Sequence, residues 1–372
     1  MSSRTVIVLA IALLALLALV TFGERGGGSS SGQGEPFVPT LETALGSIER
    51  VTIVKANNET VATLERRPDS WVAADKHGYT ADASKLRQAL TALADARILE
   101  QKTANPELYA RLGVEDVEAA EAAGLRVAFT AEGQELPTVI LGNAEGGRYR
   151  YVRRVGDAQS YLIDKNPDFP RAAAQWLDSR IIDVRSERVR EVTITHADGE
   201  VVRISKTDPS LTNFEVANIP EGRELSYPGV ANVIGNALRE LNLEDVEPAP
   251  ATPGENPTVV EYRTFDGLVV RIVGVKTEDA SWITLEASAD PAPAAGGEAP
   301  AAPAAGDAAN EPPAPAEASE PAVEAAAAPP ADPAAEAERI NAKVRGWRYK
   351  IAGFQYDQMT RRIADLLKAP NV

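Results

Sequence analysis

The sequence predicts an α+β fold: an N-terminal transmembrane helix followed by two repeated domains, each an antiparallel sheet with helices. Three observations predict it. Eighteen residues from Thr5 to Phe22 carry no charge. Ile48 to Asp75 (IERVTIVKANNETVATLERRPDSWVAAD) and Val189 to Asn218 (VREVTITHADGEVVRISKTDPSLTNFEVAN) open with the same alternation of apolar and polar residues around a turn. In both copies a stretch of helical apolar spacing follows, and after it more strands.

The uncharged run would form a helix of about 27 Å, close to the hydrocarbon thickness of a bilayer. The competing reading is a cleaved signal peptide. Its apolar region would be shorter, and Thr21-Phe22-Gly23 is a poor small-x-small site. Residues 1–23 therefore read as a retained anchor. Arg4 and the free amine place the short N-terminus in the cytoplasm and the bulk of the chain outside it, which in a bacterium is the periplasmic side of the inner membrane. Residues 24–44, with the run Gly26 to Gly34, read as a flexible linker.

The first repeat domain is expected over 45–185. Val51 and Ile53 alternate in its first strand, Val61 to Leu64 return from an Asn-Asn turn, and Trp71 marks a third strand. Leu86, Leu90 and Leu93 then recur at helical spacing behind Thr80 or Asp82 as a cap. Leu125 to Thr130, Pro137 to Gly142, Tyr149 to Arg153 and Ser160 to Asp164 follow as a meander, and a short helix passes through Trp176.

The second repeat domain is expected over 186–372. Val192 and Ile194, the Asp198-Gly199 turn, Val201 to Ile204 and Phe214 repeat the opening. A helix through Val230, Val233, Ile234, Leu238 and Leu241 is expected behind Ser226 and Pro228. Val259 to Thr264, Leu268 to Val273 and Trp282 to Glu286 are strands. The stretch 290–338 interrupts the domain: 33 of its 49 residues are Ala or Pro, and it holds ten acids with no Lys or Arg. It reads as a disordered tether. Strand Trp347 to Ile351 and a closing helix through Met359, Ile363, Leu366 and Leu367 complete the domain.

Composition narrows the chemistry. The chain has 372 residues, no cysteine, two histidines and a formal charge of −16, of which the tether supplies −10. Thiol catalysis, disulfides, iron–sulfur clusters and Cys-containing zinc sites are excluded. No Gly-x-Ser-x-Gly elbow, His-Glu-x-x-His, phosphate loop or Rossmann fingerprint is present. His77 reads as an exposed loop residue and His196 as a solvated strand residue. No catalytic, cofactor-binding or metal-binding residues are expected, and no cofactor.

Positive charge concentrates on two strands. Arg148, Arg150 and Arg154 alternate with Tyr149, Tyr151 and Arg153, and a second basic-aromatic strand, Lys343 to Lys350, contains Arg345 and Arg348 beside Trp347 and Tyr349. Arg148, Arg150, Arg154, Arg345 and Arg348 form the candidate surface for an anionic ligand or a partner. Nucleic acid is not expected, because the folded part is net negative.

The ordered set of the Trp71-Val72 strand, Tyr79-Thr80-Ala81-Asp82, Pro106-Glu107-Leu108-Tyr109, Leu112-Gly113-Val114, Leu141-Gly142 and the Tyr149-Tyr151 strand resembles the family called domain of unknown function 4340. The resemblance implies a membrane-anchored extracytoplasmic protein, with relatives beside components of ABC-type exporters of the gliding-motility kind, and it implies no catalytic residues. The expected function is that of a non-catalytic accessory or scaffold protein docking an envelope or transport complex. A binding module for an anionic envelope glycan or lipid headgroup and an envelope hydrolase are the alternatives.

Overall fold

The structure, a computed structural model, describes residues 34–252, 254–290 and 332–369. The chain divides between Asp178 and Ser179 into two compact units, a few residues before the junction expected near Asp183 to Glu187.

The first unit opens on a short helix, α1 (Leu41–Ala44), followed by β1 (Ile48–Lys55), β2 (Glu59–Arg66), β3 (Trp71–Ala73), β4 (Tyr79–Thr80), α2 (Ala83–Ala94) and β5 (Ile98–Gln101). Helix α3 (Tyr109–Leu112) precedes β6 (Leu125–Ala131), β7 (Val139–Glu145), β8 (Tyr149–Arg154) and β9 (Ser160–Ile163). The strands form one antiparallel sheet in the order β4-β3-β2-β1-β6-β7-β8-β9-β5. Asn57 and Asn58 turn β1 into β2 at φ 60° and 55°, a left-handed conformation that asparagine tolerates. The Asp82 carboxylate accepts the Lys85 N–H at 2.9 Å and caps α2, whose Leu86, Leu90 and Leu93 are buried.

The second unit contains β10 (Arg180–Ile182), β11 (Val189–Thr195), β12 (Val201–Ser205), β13 (Glu215–Val216), α4 (Asn232–Gly235), β14 (Leu241–Asn242) and β15 (Asp245–Pro248). It continues with β16 (Thr258–Thr264), β17 (Leu268–Lys276), β18 (Ser281–Ala289), α5 (Pro333–Val344), β19 (Trp347–Ile351), α6 (Gly353–Met359) and α7 (Ile363–Leu366). Eight strands form an antiparallel sheet in the order β13-β12-β11-β16-β17-β18-β19-β15, and β10 pairs with β14 apart from it. Apart from β4, the two large sheets share one order: each strand of the second matches, place by place, a strand of the first.

Alternation decides which face of the second sheet is core. Val192, Ile194, Val260, Tyr262, Val270, Ile272 and Tyr349 are fully buried. The Tyr262 hydroxyl donates to the Ile234 carbonyl at 3.2 Å, and burial pushes its pKa up.

Three expectations need correction. The chain is mostly β rather than α+β, and among the described residues only α2 and α5 exceed eight residues. The helix expected through Val230 to Leu241 shrinks to α4. Gly229 sits at φ 85°, the ring of Phe214 lies against the Gly235 backbone, and the Asn232 side chain bonds Phe214 N–H and Asn213 instead of standing clear. Glycine and asparagine are poor helix formers for these reasons. The closing helix breaks into α6 and α7 at Thr360, and Arg362 is extended. No described helix is long and apolar enough to cross a membrane; the anchor expected over Thr5 to Phe22 lies outside the described residues.

The linker expected over 24–44 is shorter at its far end. Phe37, Val38, Leu41 and Ala44 are fully buried, and Phe37 N–H donates to the Ala96 carbonyl at 2.9 Å. Four apolar side chains within eight residues contribute more by burial than chain freedom costs. The tether expected to end at Glu338 ends earlier: Asp332 caps α5 by accepting the Ala334 N–H at 3.0 Å. Residues 291–331 lie outside the described residues.

Candidate functional site

Most of the arginines on β8 are occupied by the fold of the first unit. Arg150 Nε donates to Asn166 Oδ1 at 2.7 Å and Nη1 to the Gly142 carbonyl at 2.9 Å; burial lowers its pKa, against the opposing pull of Asp168. Arg154 donates twice to the Phe37 carbonyl, at 3.0 and 2.6 Å, with its guanidinium 4.9 Å from the Phe37 ring and 5.4 Å from that of Tyr161. Of the three candidates here, Arg148 alone is exposed, 5.5 Å over the Tyr149 ring.

The opposite face of β8 is covered by the segment around α3. Tyr109 and Val114 pack on Ile140 of β7, flanked by Leu112 and Tyr151. Arg153, 3% exposed, lies beneath this flap. Its Nε donates to the Val114 carbonyl at 2.8 Å and its Nη2 to Asp116 Oδ1 at 2.6 Å. Gly142 and Gly124 permit the approach. A Cβ on Gly142 would sit 2.3 Å from the Leu112 carbonyl oxygen, and one on Gly124 would sit 2.4 Å from that of Gly113. The Leu112-Gly113-Val114 and Leu141-Gly142 motifs are thus two sides of one close packing.

The second unit treats the same face differently. Between β5 and β6 the first unit spends residues 102–124 on its flap; between β15 and β16 the second has only 249–257, less than half that length. The outer face of β17, β18 and β19 keeps a groove of about 580 Å³, floored by half-buried Val273, Val275, Trp282 and Thr284 and edged by Gly254 and Arg348. Arg348 lies 4.5 Å over the Trp282 ring and donates to Glu247 Oε2 at 2.5 and 3.1 Å. A second hollow, of about 230 Å³, shares Val273 and Thr284 with the groove and is lined by Arg271 and Arg345. It opens because β19 pairs with β18 only from Ser281 to Ile283, so that the Arg345-Gly346 turn stands away from the rest of β18.

Arg348 borders the groove and Arg345 the neighbouring hollow, whereas Arg148, Arg150 and Arg154 belong to the other unit. The sequence reasoning missed Trp282, Val273, Val275 and Arg271. A signal was present: Leu268 to Val275 is apolar at almost every position, and a strand apolar on both faces needs cover on both.

His77 is exposed at φ 56°, and the neighbouring Asp75 carboxylate accepts the Thr63 N–H. His196 is not solvated as expected: it is 6% exposed, and its Nε2 is buried without a hydrogen-bond partner. Among the described residues no group of three or more His, Asp or Glu is arranged to hold a metal ion.

A duplicated strand order, capped on one copy and grooved on the other, defines a mostly β protein with an open sheet face. The chain belongs to the family described as Domain of unknown function (DUF4340), which matches residues 71–259, just over half of the 372. The match runs from β3 of the first unit into β16 of the second. No curated protein and no solved structure matches the chain.

Proposed function

We propose that the chain is a non-catalytic extracytoplasmic accessory or scaffold protein that docks a partner subunit of an envelope or ABC-type transport complex. The observation that carries this reading is the groove over Val273, Val275 and Trp282, an apolar face left open where the first unit covers its own. Its lining supplies a ring, branched side chains and charges of both signs, Lys276 and Arg348 beside Glu255, which suits recognition of a protein surface. The extracytoplasmic placement rests on the uncharged run Thr5 to Phe22 and Arg4. The alternative, an anionic glycan or lipid headgroup, keeps Arg345 and Arg348 as its residues.

The test is affinity capture from detergent-solubilised membranes with the full chain as bait beside a Val275→Asp bait. Transport-complex subunits should be recovered by the first and lost from the second. Equal recovery by both, or by neither, would overturn the reading.

A further inference from the structure

The second unit is closed by a strap, residues 360–368. Ser226 N–H donates to the Leu366 carbonyl and Lys368 N–H to the Glu224 carbonyl, both at 2.9 Å, and the strap buries Leu366 completely. The first unit has a closure of the same kind, with Asp82 N–H on the Trp176 carbonyl at 2.8 Å and Asp178 N–H on that of Thr80 at 3.0 Å. The second strap is also latched to the turn between β11 and β12. Ile363 N–H donates to Glu200 Oε1 at 2.8 Å, and Arg362 bonds Asp198 at 2.7 Å and Glu200.

His196 closes that turn: its N–H donates to the Glu200 carbonyl at 2.9 Å, and its carbonyl accepts the Gly199 N–H at 3.0 Å. Its side chain follows Val192 and Ile194 onto the core face, because alternate residues of a strand share a face, and it is buried there. One place beyond the Thr195–Val259 pair it comes to Thr258, which pairs with Gly274, and the Tyr356 ring of α6 lies against Gly274. The Nε2 of His196 is buried without a hydrogen-bond partner, and so is the Nε of Arg361 on the strap. The charged and titratable groups on these packed elements are Asp198 and Glu200 on its own turn, Arg361, Arg362 and Asp365 on the strap, and Tyr356 on α6; Asp365 accepts the Arg362 N–H at 2.9 Å.

A neutral imidazole fits this place. A proton on Nε2 does not, because it creates a buried N–H with nothing to accept it. The charge has two ways out: Nε2–H takes the Asp198 carboxylate that Arg362 now holds, or the imidazole turns out to water. Each breaks the latch. Histidine changes charge between about pH 5 and 8, whereas the Asp198 carboxyl, held below its ordinary range by the Glu200 N–H and Arg362, stays ionised there.

We infer that His196 is a pH-sensitive catch on the strap: uptake of one proton at Nε2 releases residues 360–368 from the β11–β12 turn and uncovers the apolar surface beneath Leu366. The inference is independent of the docking reading above.

Hydrogen–deuterium exchange of the full chain in a nonionic detergent, compared at about pH 7.5 and about pH 5.5 and corrected for the intrinsic effect of pH, tests it. Opening of the peptide 360–368 should rise severalfold in acid, with about tenfold as the limit that one ordinary imidazole allows over that range. The first unit's closing segment, 171–178, should stay level, since the turn at Asn57 and Asn58 holds no histidine. His196→Gln should hold the second strap level as well, and Arg362→Gln should raise its exchange already at the higher pH. Near-UV circular dichroism confirms that the variants are folded, and the parent chain's own profile, judged against 171–178, needs neither variant. No rise in acid, an equal rise in both segments, added protection of 360–368 in acid, or a rise that survives in folded His196→Gln would overturn the inference.

Discussion

The guanidinium of Arg153 lies 4.7 Å from the centroid of the Tyr109 ring, and the Tyr109 hydroxyl in turn donates to the Ala158 carbonyl at 2.5 Å. A residue of the basic strand thus serves as the floor on which the flap rests. Its bonds to Val114, Asp157 and Asp116 are charge-assisted and lie mostly out of water. Arg153→Gln should lower stability by about 2–4 kcal/mol, since the carbonyl acceptors lose their donor in a buried setting. Urea denaturation measures the loss, and exposed Arg148→Gln, expected to stay within about 0.5 kcal/mol, is the control.

The close approach at Gly142 makes a sharper prediction. A methyl group there would meet the Leu112 and Gly113 carbonyl oxygens, at 2.3 and 2.9 Å, which are backbone and cannot swing aside. Gly142→Ala should cost about 1–3 kcal/mol or more and should loosen the flap before the sheet. Limited proteolysis should then cut between residues 106 and 117 earlier than in the parent chain.

Acid should weaken the seam between the β11–β12 turn and α7. The Asp198 carboxyl is held below its ordinary range first by the Glu200 N–H and then by Arg362, whose guanidinium donates to it at 2.7 Å. A carboxylate with a depressed folded pKa contributes stability above its unfolded pKa, and that contribution is lost as pH falls through the folded value. The melting temperature should therefore fall as pH drops through and below the ordinary aspartate value. The difference between the parent and Asp198→Asn should shrink over the same range. A difference that stays constant with pH would refute the assignment.

Both ends of the stretch 291–331 are held at one place. A Cβ on Gly267 would lie 3.6 Å from the Asp290 carbonyl oxygen and 3.7 Å from Pro333 Cγ. Arg263 bonds Asp290 at 2.6 Å, and Arg188 bonds both Asp266 and Glu336 at 2.7 Å. Replacing 291–331 by about six Gly and Ser residues should leave the circular dichroism spectrum and melting within a few degrees of the parent, because shortening a loop by about three doublings changes its closure cost by only about 2 kcal/mol. Ending the chain at 331 should instead unfold the second unit, since β19 is an interior strand of its sheet.

Much of the strand layout was legible in the sequence because alternation is a local signal. The pairs Val51/Ile53 and Val192/Ile194 announce the two opening strands, and Trp347 to Ile351 folds as the strand its pattern indicates. Helix content was less legible, since apolar spacing at Val230 to Leu241 ignores what Gly235 and Asn232 do to the backbone. The basic candidates misled for a different reason. Arg154 spends its charge on a carbonyl 117 residues away, and no spacing rule along one strand reports that partner. Arg345 and Arg348 were legible as cations but not as neighbours of a groove, because the groove arises from the brevity of a connection elsewhere in the chain.

Strand β15 has a single neighbour, β19, and the Arg348–Glu247 contact between them spans 101 residues of sequence. During synthesis β15 has nothing to pair with until β19 has also left the ribosome. Until then β18 and β15 each present a bare strand edge, the form most open to chaperones and to the edges of other chains. The corresponding pairing in the first unit, Ile98 with Ile163, closes over a shorter span of sequence. The first sheet can therefore be complete while the second is still waiting, and the vulnerable interval in the life of this molecule belongs to its C-terminal half.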